Sequence, residues 1–551
     1  MLLEIDALKT AAAWPGANRR TIIVLASQLM AAERYLEGYE YFAGRPDDAL
    51  WLALTGAFES RLDGRAEAAI DKLDAAAGLD LGLAQYFRGT SLAALPGCAG
   101  RAETVAADLE FVLAVRDQFP PGMMRSVHAG LAAAYEILGK TPEAAAARDK
   151  AGRLISDYSV SADDGFRFVP RNLALLAPGI HVAQGYDFSD FSFVVTDDGI
   201  VAIDAASTPE HAAAALRDLR AFTDLPVTHV ILTHGHWDHV GGLDALTADG
   251  ATVIAQAGFP DELRNQNSGP TPFRYFQPDG RSHRVEVEPD HLVSSPETLT
   301  VGGMSFTLIP IAGGETADGL IVHVPDRDVV FTGDMSMPYL GAPFFAEGSA
   351  DGLFEAMELV MKLRPRLLIH GHTGLTATFT IEAFPGLLAA LRSLDEVVRA
   401  GITDGLTVAE LLRLDHLPEV LRDHPLAVTA YLATRNNFVQ RVHRQRTGYW
   451  HPRGEGVEQF TPAELAVAAD LLGGGMADAF AAAGAELLRR GEYTLALRIL
   501  DMGLLRHPGT PELVELRSAV LLKLVEVNQM LNPFKFIYYA GLADLELSPA
   551  D

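Results

Sequence analysis

The stretch Thr233–Gly242, THGHWDHVGG, decides the fold and the chemistry of this chain, and the β-branched apolar run VTHVILT leads into it. That run predicts a buried strand. Side chains two apart on a strand face the same side, so His234 and His236 can project together from the strand end. The following turn brings Asp238 and His239 beside them. Three imidazoles and one carboxylate within six residues suit a borderline divalent metal, above all zinc. A solvated turn of four polar residues is the alternative, but no packing pattern needs this arrangement, so the stretch predicts a metal centre and a hydrolase.

The length and charge of the chain limit its architecture and its partners. The 551 residues are too many for one core and enough for about three or four domains. Hydrophobic residues make up 49% and charged residues 21%, as in ordinary folded proteins. A net charge of −28 argues against nucleic acid as the main partner. An anionic substrate therefore needs local positive charge, from metal and arginine.

The cysteine count and the N-terminal sequence indicate the cellular compartment in which the protein is expected. Cys98 is the single cysteine, so a disulfide within the chain is impossible. The N-terminal residues carry acidic groups early and lack the basic-then-apolar pattern of a signal peptide. No apolar run approaches the ~20 residues that a transmembrane helix needs. We expect a cytoplasmic protein with no membrane span.

The chain divides into three regions by pattern. Residues 1–165 are rich in Ala and Leu at helical spacing, and segments 64–80 and 139–152 are similar to tetratricopeptide-type helix pairs, with a generic helical bundle as the alternative. Residues 166–385 give short strands and then βα units, which predicts a mixed α/β layer fold. Residues 386–551 return to the helical period. The predicted fold class is therefore α+β and multidomain.

The central region resembles the metallo-β-lactamase superfamily, through THGHWDHVGG and the upstream FVVTDDGIVAIDAAS. The resemblance implies an αβ/βα sandwich with metals at one edge. Within that superfamily the chain is similar to the zinc-dependent alkyl sulfatases in segments 179–208 and 313–335. The C-terminal helical region, with its final FKFIYYAGLADLE, resembles their dimerisation domain, which implies a homodimer.

Further ligands follow from the resemblance. Glu315 comes after the strand FTLIPI, where the superfamily places a ligand of its first metal; a solvated loop glutamate is the alternative. Asp334 closes the apolar run DVVFTGD, and a carboxylate at a buried strand end is costly unless it is paired or metal-bound. We expect it to bridge two metals. In LLIHGHTG we favour His372 as the last ligand, with His370 as the alternative.

The resemblance thus implies two zinc ions per chain, with Asp238 and Asp334 also serving catalysis. The predicted ligand set is His234, His236, Asp238, His239, Glu315, Asp334 and His372.

Three other residues in or near the motif are expected to have supporting or structural roles. Asp204 in VAIDAAS is expected to orient a ligand histidine from behind, with a strand-end cap as the alternative. His229 precedes the motif and is expected to be a satisfied core histidine. Trp237 either walls the substrate pocket or packs over the loop.

The segment RNNFVQRVHRQRTGYW resembles the sulfate-binding part of the alkyl sulfatases. The resemblance points to Asn437 and Arg446 as substrate-binding residues, with Arg444 as an alternative. A guanidinium suits a tetrahedral oxyanion because its fork donates two parallel hydrogen bonds. A solvated basic helix face remains the other interpretation.

These features predict a zinc-dependent hydrolase that cleaves alkyl sulfate esters, small-molecule substrates, with a metal-activated water. The Gly-Asp form at Asp334 is general to the superfamily, so a hydrolase of another ester, lactone, thioester or lactam is the second interpretation. A helical scaffold with a degraded metal site is the third, and the intact ligand set argues against it.

Overall fold

The N-terminal region is helical. The computed structural model describes residues 2–44, 48–79, 82–119, 121–152, 160–161, 165–167, 169–268, 284–337, 348–447 and 460–543. Local caps fix where helices start: the Asp48 carboxylate accepts hydrogen bonds from the backbone N–H groups of Leu50 and Trp51. The helices are α1 (Leu2–Ala13), α2 (Arg19–Ala31), α3 (Tyr35–Phe42), α4 (Ala49–Glu59), α5 (Ala66–Leu79), α6 (Leu83–Ala93), α7 (Ala102–Ala114), α8 (Met124–Ile137) and α9 (Thr141–Gly152).

Two large sheets form the centre of the molecule, after a short hairpin of β1 (Val160–Ser161) and β2 (Gly165–Phe166). The first sheet has seven strands in sequence order and the second has five. The first contains β3 (Asn172–Ala177), β4 (Ile180–Gln184), β5 (Phe191–Val195), β6 (Ile200–Ile203), β7 (Val227–Ile231), β8 (Thr252–Gln256) and β9 (His291–Val293). The second contains β10 (Glu297–Val301), β11 (Met304–Pro310), β12 (Leu320–Val324), β13 (Val329–Gly333) and β14 (Leu367–His370).

Each sheet is antiparallel on one side and parallel on the other, and the metal-binding motif predicted from the sequence follows a parallel strand, β7. In the first sheet β3 to β6 pair antiparallel, and β6 to β9 pair parallel. In the second, only β13 and β14 are parallel. Parallel neighbours end at the same sheet edge, so the loops after β6, β7, β13 and β14 can meet there.

The two sheets face each other and helices cover their outer faces. Along β6, Ile200 and Ala202 pack towards the outer helices, while Val201 and Ile203 pack between the sheets. This alternation follows from the two-residue period of a strand, and both faces are apolar because both are covered. The predicted αβ/βα sandwich within a multidomain chain is confirmed. The helices of this region are α10 (Pro209–Leu219), α11 (Trp237–Val240), α12 (Leu243–Thr247), α13 (Phe259–Ser268), α14 (Ala350–Leu363) and α15 (Thr373–Thr378).

The C-terminal helices begin against the five-stranded sheet. Val330, Met357, Leu391 and Phe438 belong to one buried cluster that joins β13, α14, α16 and α18, and residues of α1, α2 and α4 pack in it too. The boundaries at 165/166 and 385/386, and the repeat-like character of the helices, stay predictions. The helices are α16 (Phe384–Thr403), α17 (Val408–Leu411), α18 (Ala427–Thr447), α19 (Pro462–Leu472), α20 (Ala477–Arg489), α21 (Tyr493–Arg506), α22 (Pro511–Asn528) and α23 (Pro533–Leu542).

Among the described residues, no single helix has both the length and the apolar character to cross a membrane, although α19 and α20 together pass that test as a pair bent by 100°.

Candidate metal centre

The seven predicted ligands converge at the edge where the parallel strands end. His234 and His236 follow β7, Asp334 follows β13 and His372 follows β14, while Glu315 comes from the loop after β11. Each of the seven residues is at most 3% exposed. The structure therefore brings together residues that lie up to 138 positions apart in sequence. Their roles as ligands stay a prediction.

The cluster contains a first group of donors around Glu315. Its Oε2 lies 3.2 Å from His234 Nε2 and 3.4 Å from His236 Nδ1. The ligand atoms of these three residues all lie within 4.8 Å of one another. Two imidazole nitrogens and a carboxylate oxygen at these separations can converge on one ion.

A second group lies around Asp238, and Asp334 connects the two. Asp238 Oδ2 is 3.4 Å from His239 Nε2 and 3.6 Å from His372 Nε2. Asp334 Oδ2 is 2.9 Å from His372 Nε2 and 3.5 Å from His239 Nε2, and Asp334 also groups with His234 and His239. Its carboxylate thus touches both halves of the cluster, as a bridging group requires.

Unsatisfied polar atoms test whether a metal fits. Among the described residues, His234 Nε2, His239 Nε2 and Asp334 Oδ1 are fully buried and have no hydrogen-bond partner. Leaving buried polar atoms unpaired costs free energy that a bound ion would recover. These atoms point into the cluster, so the donor set fits the divalent metal that the fold implies.

The charges of the cluster also favour a cation. Burial lowers the pKa of His239, but the negative charges of Asp238 and Asp334 outweigh burial and raise the pKa well above its ordinary value. Burial raises the pKa of Asp334, but the positive charges of His372 and His239 hold it well below the usual range. Buried carboxylates at this edge therefore stabilise positive charge beside them.

Asp204 contacts the motif through its carboxylate. Its own backbone lies in the left-handed region (φ 62°). Its Oδ1 accepts a hydrogen bond of 2.7 Å from the Thr233 N–H, and its Oδ2 lies 3.0 Å from His239 Nδ1. Thr233 Oγ1 in turn lies 3.0 Å from His234 Nδ1. The carboxylate thus contacts the candidate ligand His239 and also holds the strand end. Its role in orienting that histidine on a metal stays a prediction.

The turn at residues 187–189 fixes other parts of the centre. The Phe188 carbonyl lies 3.0 Å from His372 Nδ1, and Ser189 Oγ donates to the carbonyl oxygen of Asp238. Burial raises the pKa of Asp187, but hydrogen bonds from His211 and Ser207 bring it down to about 2. The sequence interpretation used this turn only as a family resemblance and missed its contacts with the centre.

His370 and His372 lie in different environments. His370 Nδ1 is 2.8 Å from Thr332 Oγ1, and its Nε2 is 2.9 Å from the Phe379 carbonyl oxygen. Burial lowers the pKa of His370 to about 4. Both ring nitrogens are engaged away from the cluster, so the structure brings His372 to the site and not His370.

Gly371, between these histidines, leaves no room for a side chain. A Cβ there would lie 2.4 Å from Asp334 Oδ1 and 2.5 Å from His239 Cε1. The glycine therefore lets the Asp334 carboxylate and the His239 imidazole approach the chain.

Trp237 and His229 lie outside the donor set. Trp237 is 3% exposed, and its ring is nearly parallel to that of Phe188, with centroids 6.2 Å apart. It packs over the motif on the side of the 187–189 turn. His229 is partly buried on β7, with Nδ1 3.0 Å from Thr228 Oγ1.

Helix α18 contributes Asn437 and a residue that sequence reasoning missed, Arg441. Asn437, Arg441 and Ser336 line a cavity of about 20 Å³ beside the Asp334 turn. Arg441 is 4% exposed and donates from Nη1 to the Gly314 carbonyl and from Nη2 to the Glu315 carbonyl, the latter at 3.1 Å. The four-residue spacing from Asn437, which puts both on one helix face, was the available signal.

The structure does not bring Arg446 to this cavity. Its side chain is 41% exposed and its Nη2 lies 3.4 Å from Asp351 Oδ2. Arg444 is also exposed. Of the following Gly-Tyr-Trp sequence, residues 448–450 lie outside the described residues.

The geometry agrees with the family comparison. Residues 185–372 match the model of the metallo-beta-lactamase superfamily. This span holds all seven candidate ligands, so the chain carries a hydrolase domain of the metallo-β-lactamase superfamily, a fold that implies divalent metal binding.

Individual relatives extend over different parts of the chain. The hydroxyacylglutathione hydrolase of Jannaschia is 25% identical over 200 residues, covering 36% of this chain and 68% of that protein. The alkyl/aryl-sulfatase BDS1 of Saccharomyces cerevisiae is 20% identical over 391 residues, covering 63% of this chain and 59% of the sulfatase. The solved structure of the stereoselective inverting sec-alkylsulfatase Pisa1 from Pseudomonas shares the fold, with a TM-score of 0.58 at 18% identity, over 70% of this chain and 67% of Pisa1.

Proposed function

We propose that the protein is a binuclear zinc-dependent hydrolase that cleaves alkyl sulfate esters to an alcohol and sulfate. The observation that carries this proposal is the buried Asp334 carboxylate, which contacts His372 and His239 and groups with His234. A single carboxylate shared by two donor groups is what a pair of ions needs. Zinc ions held there would lower the pKa of a water and polarise the ester oxygens.

The residues of the chain have distinct roles in this proposal. His234, His236 and Glu315 would hold one ion, and Asp238, His239 and His372 would hold the other, since each set offers three ligand atoms close together. Asp334 would be the carboxylate that both ions share. Asp204 and the Phe188 carbonyl fix the rotation of the His239 and His372 rings, which keeps the ligand nitrogens aimed at the ions.

A sulfate ester needs positive charge and hydrogen-bond donors opposite the metals. The net charge of the chain is −28, so a buried guanidinium next to the centre has a strong local effect. Arg441 supplies that charge from α18, and Asn437 lies one turn before it in the same cavity wall. We propose Asn437 and Arg441 as the residues facing the sulfate. The exposure of Arg446 favours Arg441 over it.

The extent of the comparisons supports a sulfate ester over other substrates. Similarity to the yeast alkyl/aryl-sulfatase and to the Pisa1 fold covers 63% and 70% of this chain, against 36% for the hydroxyacylglutathione hydrolase of Jannaschia. The second candidate function is hydrolysis of a thioester such as an acylglutathione, which the identity to that hydrolase favours.

A substrate panel separates the two. Zinc-loaded protein is offered alkyl sulfates of several chain lengths, an aryl sulfate, a phosphate ester, a lactone, an acylglutathione and a cephalosporin. We expect release of free sulfate from alkyl sulfates with the highest kcat/KM of the panel. Turnover of the acylglutathione without sulfate release from any ester would replace the first proposal by the second.

Metal content tests the centre independently of substrate. We expect close to two zinc ions per chain by elemental analysis, and loss of activity on treatment with chelators. Protein purified in zinc that holds no stoichiometric metal would contradict the binuclear proposal.

We also propose a homodimer. Large apolar side chains lie exposed near α19, with Phe460 at 65%, Leu471 at 78% and Leu472 at 92% exposure. Exposed large apolar side chains favour association with a partner surface, and a two-fold dimer is the commonest soluble assembly. Light scattering is expected to give about twice the 59.2 kDa chain mass, and Leu472→Glu to shift the protein towards monomer. A wild-type monomer at micromolar concentration would contradict the proposal.

A further inference from the structure

A second cavity, of about 450 Å³, lies between the N-terminal helices and α22. It shares no residue with the metal cluster. Its volume falls in the range of roughly 300–1,000 Å³ that is typical of small-molecule sites. Nothing in the proposed hydrolysis uses it.

One wall of this cavity is a single helix face. Ile23, Ala26, Ser27 and Met30 of α2 line it, at positions i, i+3, i+4 and i+7, which share one side of a helix. Apart from Ser27, this wall is apolar. It gives an apolar ligand body a continuous surface.

Aromatic side chains from α6 form another wall. Tyr86 and Phe87 both line the cavity, with ring centroids 5.2 Å apart in an edge-on arrangement. Together with Met123 and Met530, they offer ring faces and flexible thioethers. Such surfaces pack well against aliphatic or aromatic groups.

The charged groups of the cavity are unevenly paired. Lys523 Nζ lies 2.6 Å from Glu33 Oε1 and 3.5 Å from Glu526 Oε2, so the two carboxylates of the lining are matched by one ammonium group. In the part of the chain that the structure describes, Arg61 has no ion pair, and Arg125 uses only its Nε, 3.2 Å from the Ala151 carbonyl oxygen. Two guanidinium groups therefore remain available to a ligand.

We propose that this cavity binds a small organic anion with an apolar body, held by Arg61 and Arg125 at its charged end and by the α2 and α6 walls along its length. The chain as a whole is strongly acidic, with a net charge of −28. Two arginines without an ion pair among the described residues, at a cavity with one apolar helix wall, therefore supply local positive charge in an acidic chain. Guanidinium groups bind carboxylate and sulfate oxygens in a fork. The proposal does not depend on what the metal centre hydrolyses.

The test is titration calorimetry of the zinc-loaded protein with decanoate, a carboxylate that has no ester to cleave, and with 1-decanol as the neutral comparison. We expect saturable binding of decanoate, and at least fivefold weaker binding of the alcohol. The double variant Arg61→Gln/Arg125→Gln should weaken decanoate binding tenfold or more. Arg217→Gln, which removes one charge at an exposed position of α10, should change it by less than twofold.

Two further variants locate the bound molecule. Ser27→Trp fills the cavity and should abolish decanoate binding, while His372→Ala alters the metal centre and should leave it unchanged. Decanoate binding that disappears with His372→Ala but survives the Arg61/Arg125 double variant would overturn the proposal, as would the absence of saturable binding to the wild type. If Ser27→Trp does not fold, the double variant and His372→Ala still decide the outcome.

Discussion

The strand-end cluster and the basic face of α18 both belong to the candidate site, but they differ in how far the sequence predicts them. In the cluster, every predicted ligand lies buried with the others. On α18, Asn437 lines the cavity, but the guanidinium that lines it with Asn437 is that of Arg441 and not that of Arg446. The geometry of a strand end is set over a few residues, whereas a helix face depends on what the helix packs against.

The largest effect on activity is expected from loss of the carboxylate that both donor groups share. Asp334→Ala removes the carboxylate that joins both donor groups, so we expect loss of bound metal and a fall in kcat/KM of about a hundredfold or more. Elemental analysis and initial rates measure both. Asp249→Ala, at an exposed position, is the control and should keep both. A variant at 334 with full metal and full activity would make this carboxylate structural.

Gly371→Ala tests the geometry of the strand-end cluster without removing a candidate ligand. The added Cβ would lie 2.4 Å from Asp334 Oδ1, so one of the two must move. We expect reduced zinc content and a loss of about tenfold or more in activity, because ligand geometry must hold within about half an ångström. Gly78→Ala, where a Cβ meets nothing within 4 Å, should behave as wild type. Unchanged zinc binding in Gly371→Ala would show that the cluster relaxes freely.

The α18 face is tested by two arginine variants of equal charge change. Arg441→Gln removes the groups that hold the Gly314 and Glu315 carbonyls, and we expect kcat/KM for an alkyl sulfate to fall about tenfold or more. Arg446→Gln removes an exposed pairing with Asp351, and we expect a change within about twofold. The reverse ranking would return the substrate-binding role to Arg446.

A comparison of substrates separates the two effects of Arg441. If it also faces the sulfate, KM for the sulfate ester should rise more than KM for a neutral lactone. Equal losses on both substrates would restrict Arg441 to positioning the Glu315 loop.

The smallest effect on activity is expected at His370. His370→Ala removes the ring nitrogens that contact the Thr332 hydroxyl and the Phe379 carbonyl, at a cost of about 1–3 kcal/mol in the free energy of unfolding. Zinc content should remain at the wild-type value and activity within about twofold. Urea unfolding and elemental analysis measure the two quantities. Loss of one zinc ion in this variant would make His370 the ligand after all.

Much of the centre is predictable because it rests on local rules. The alternation of a strand and its short turn place His234, His236, Asp238 and His239 together whatever surrounds them. The burial of Asp334 follows from its apolar run, since a carboxylate there needs a partner.

The remainder depends on long-range packing. The difference between His370 and His372 is set by the Phe379 and Phe188 carbonyls, which belong to other segments of the chain. The inward side of α18 is likewise set by its packing against α14 and α16. The spacing of these residues in the sequence predicts neither the environments of the two histidines nor the orientation of α18.

The hydrogen bonds from Arg441 to the Gly314 and Glu315 carbonyls can form only late in the synthesis of the chain. The last candidate ligand, His372, is translated before Arg441, and at roughly 5–20 residues per second the interval is on the order of 3–14 seconds. During that time the nascent chain carries all seven candidate ligands, but α18 is not yet present to bond the Glu315 loop. The candidate metal centre therefore reaches its final geometry only after the synthesis of α18, a helix that contributes none of the seven candidate ligands.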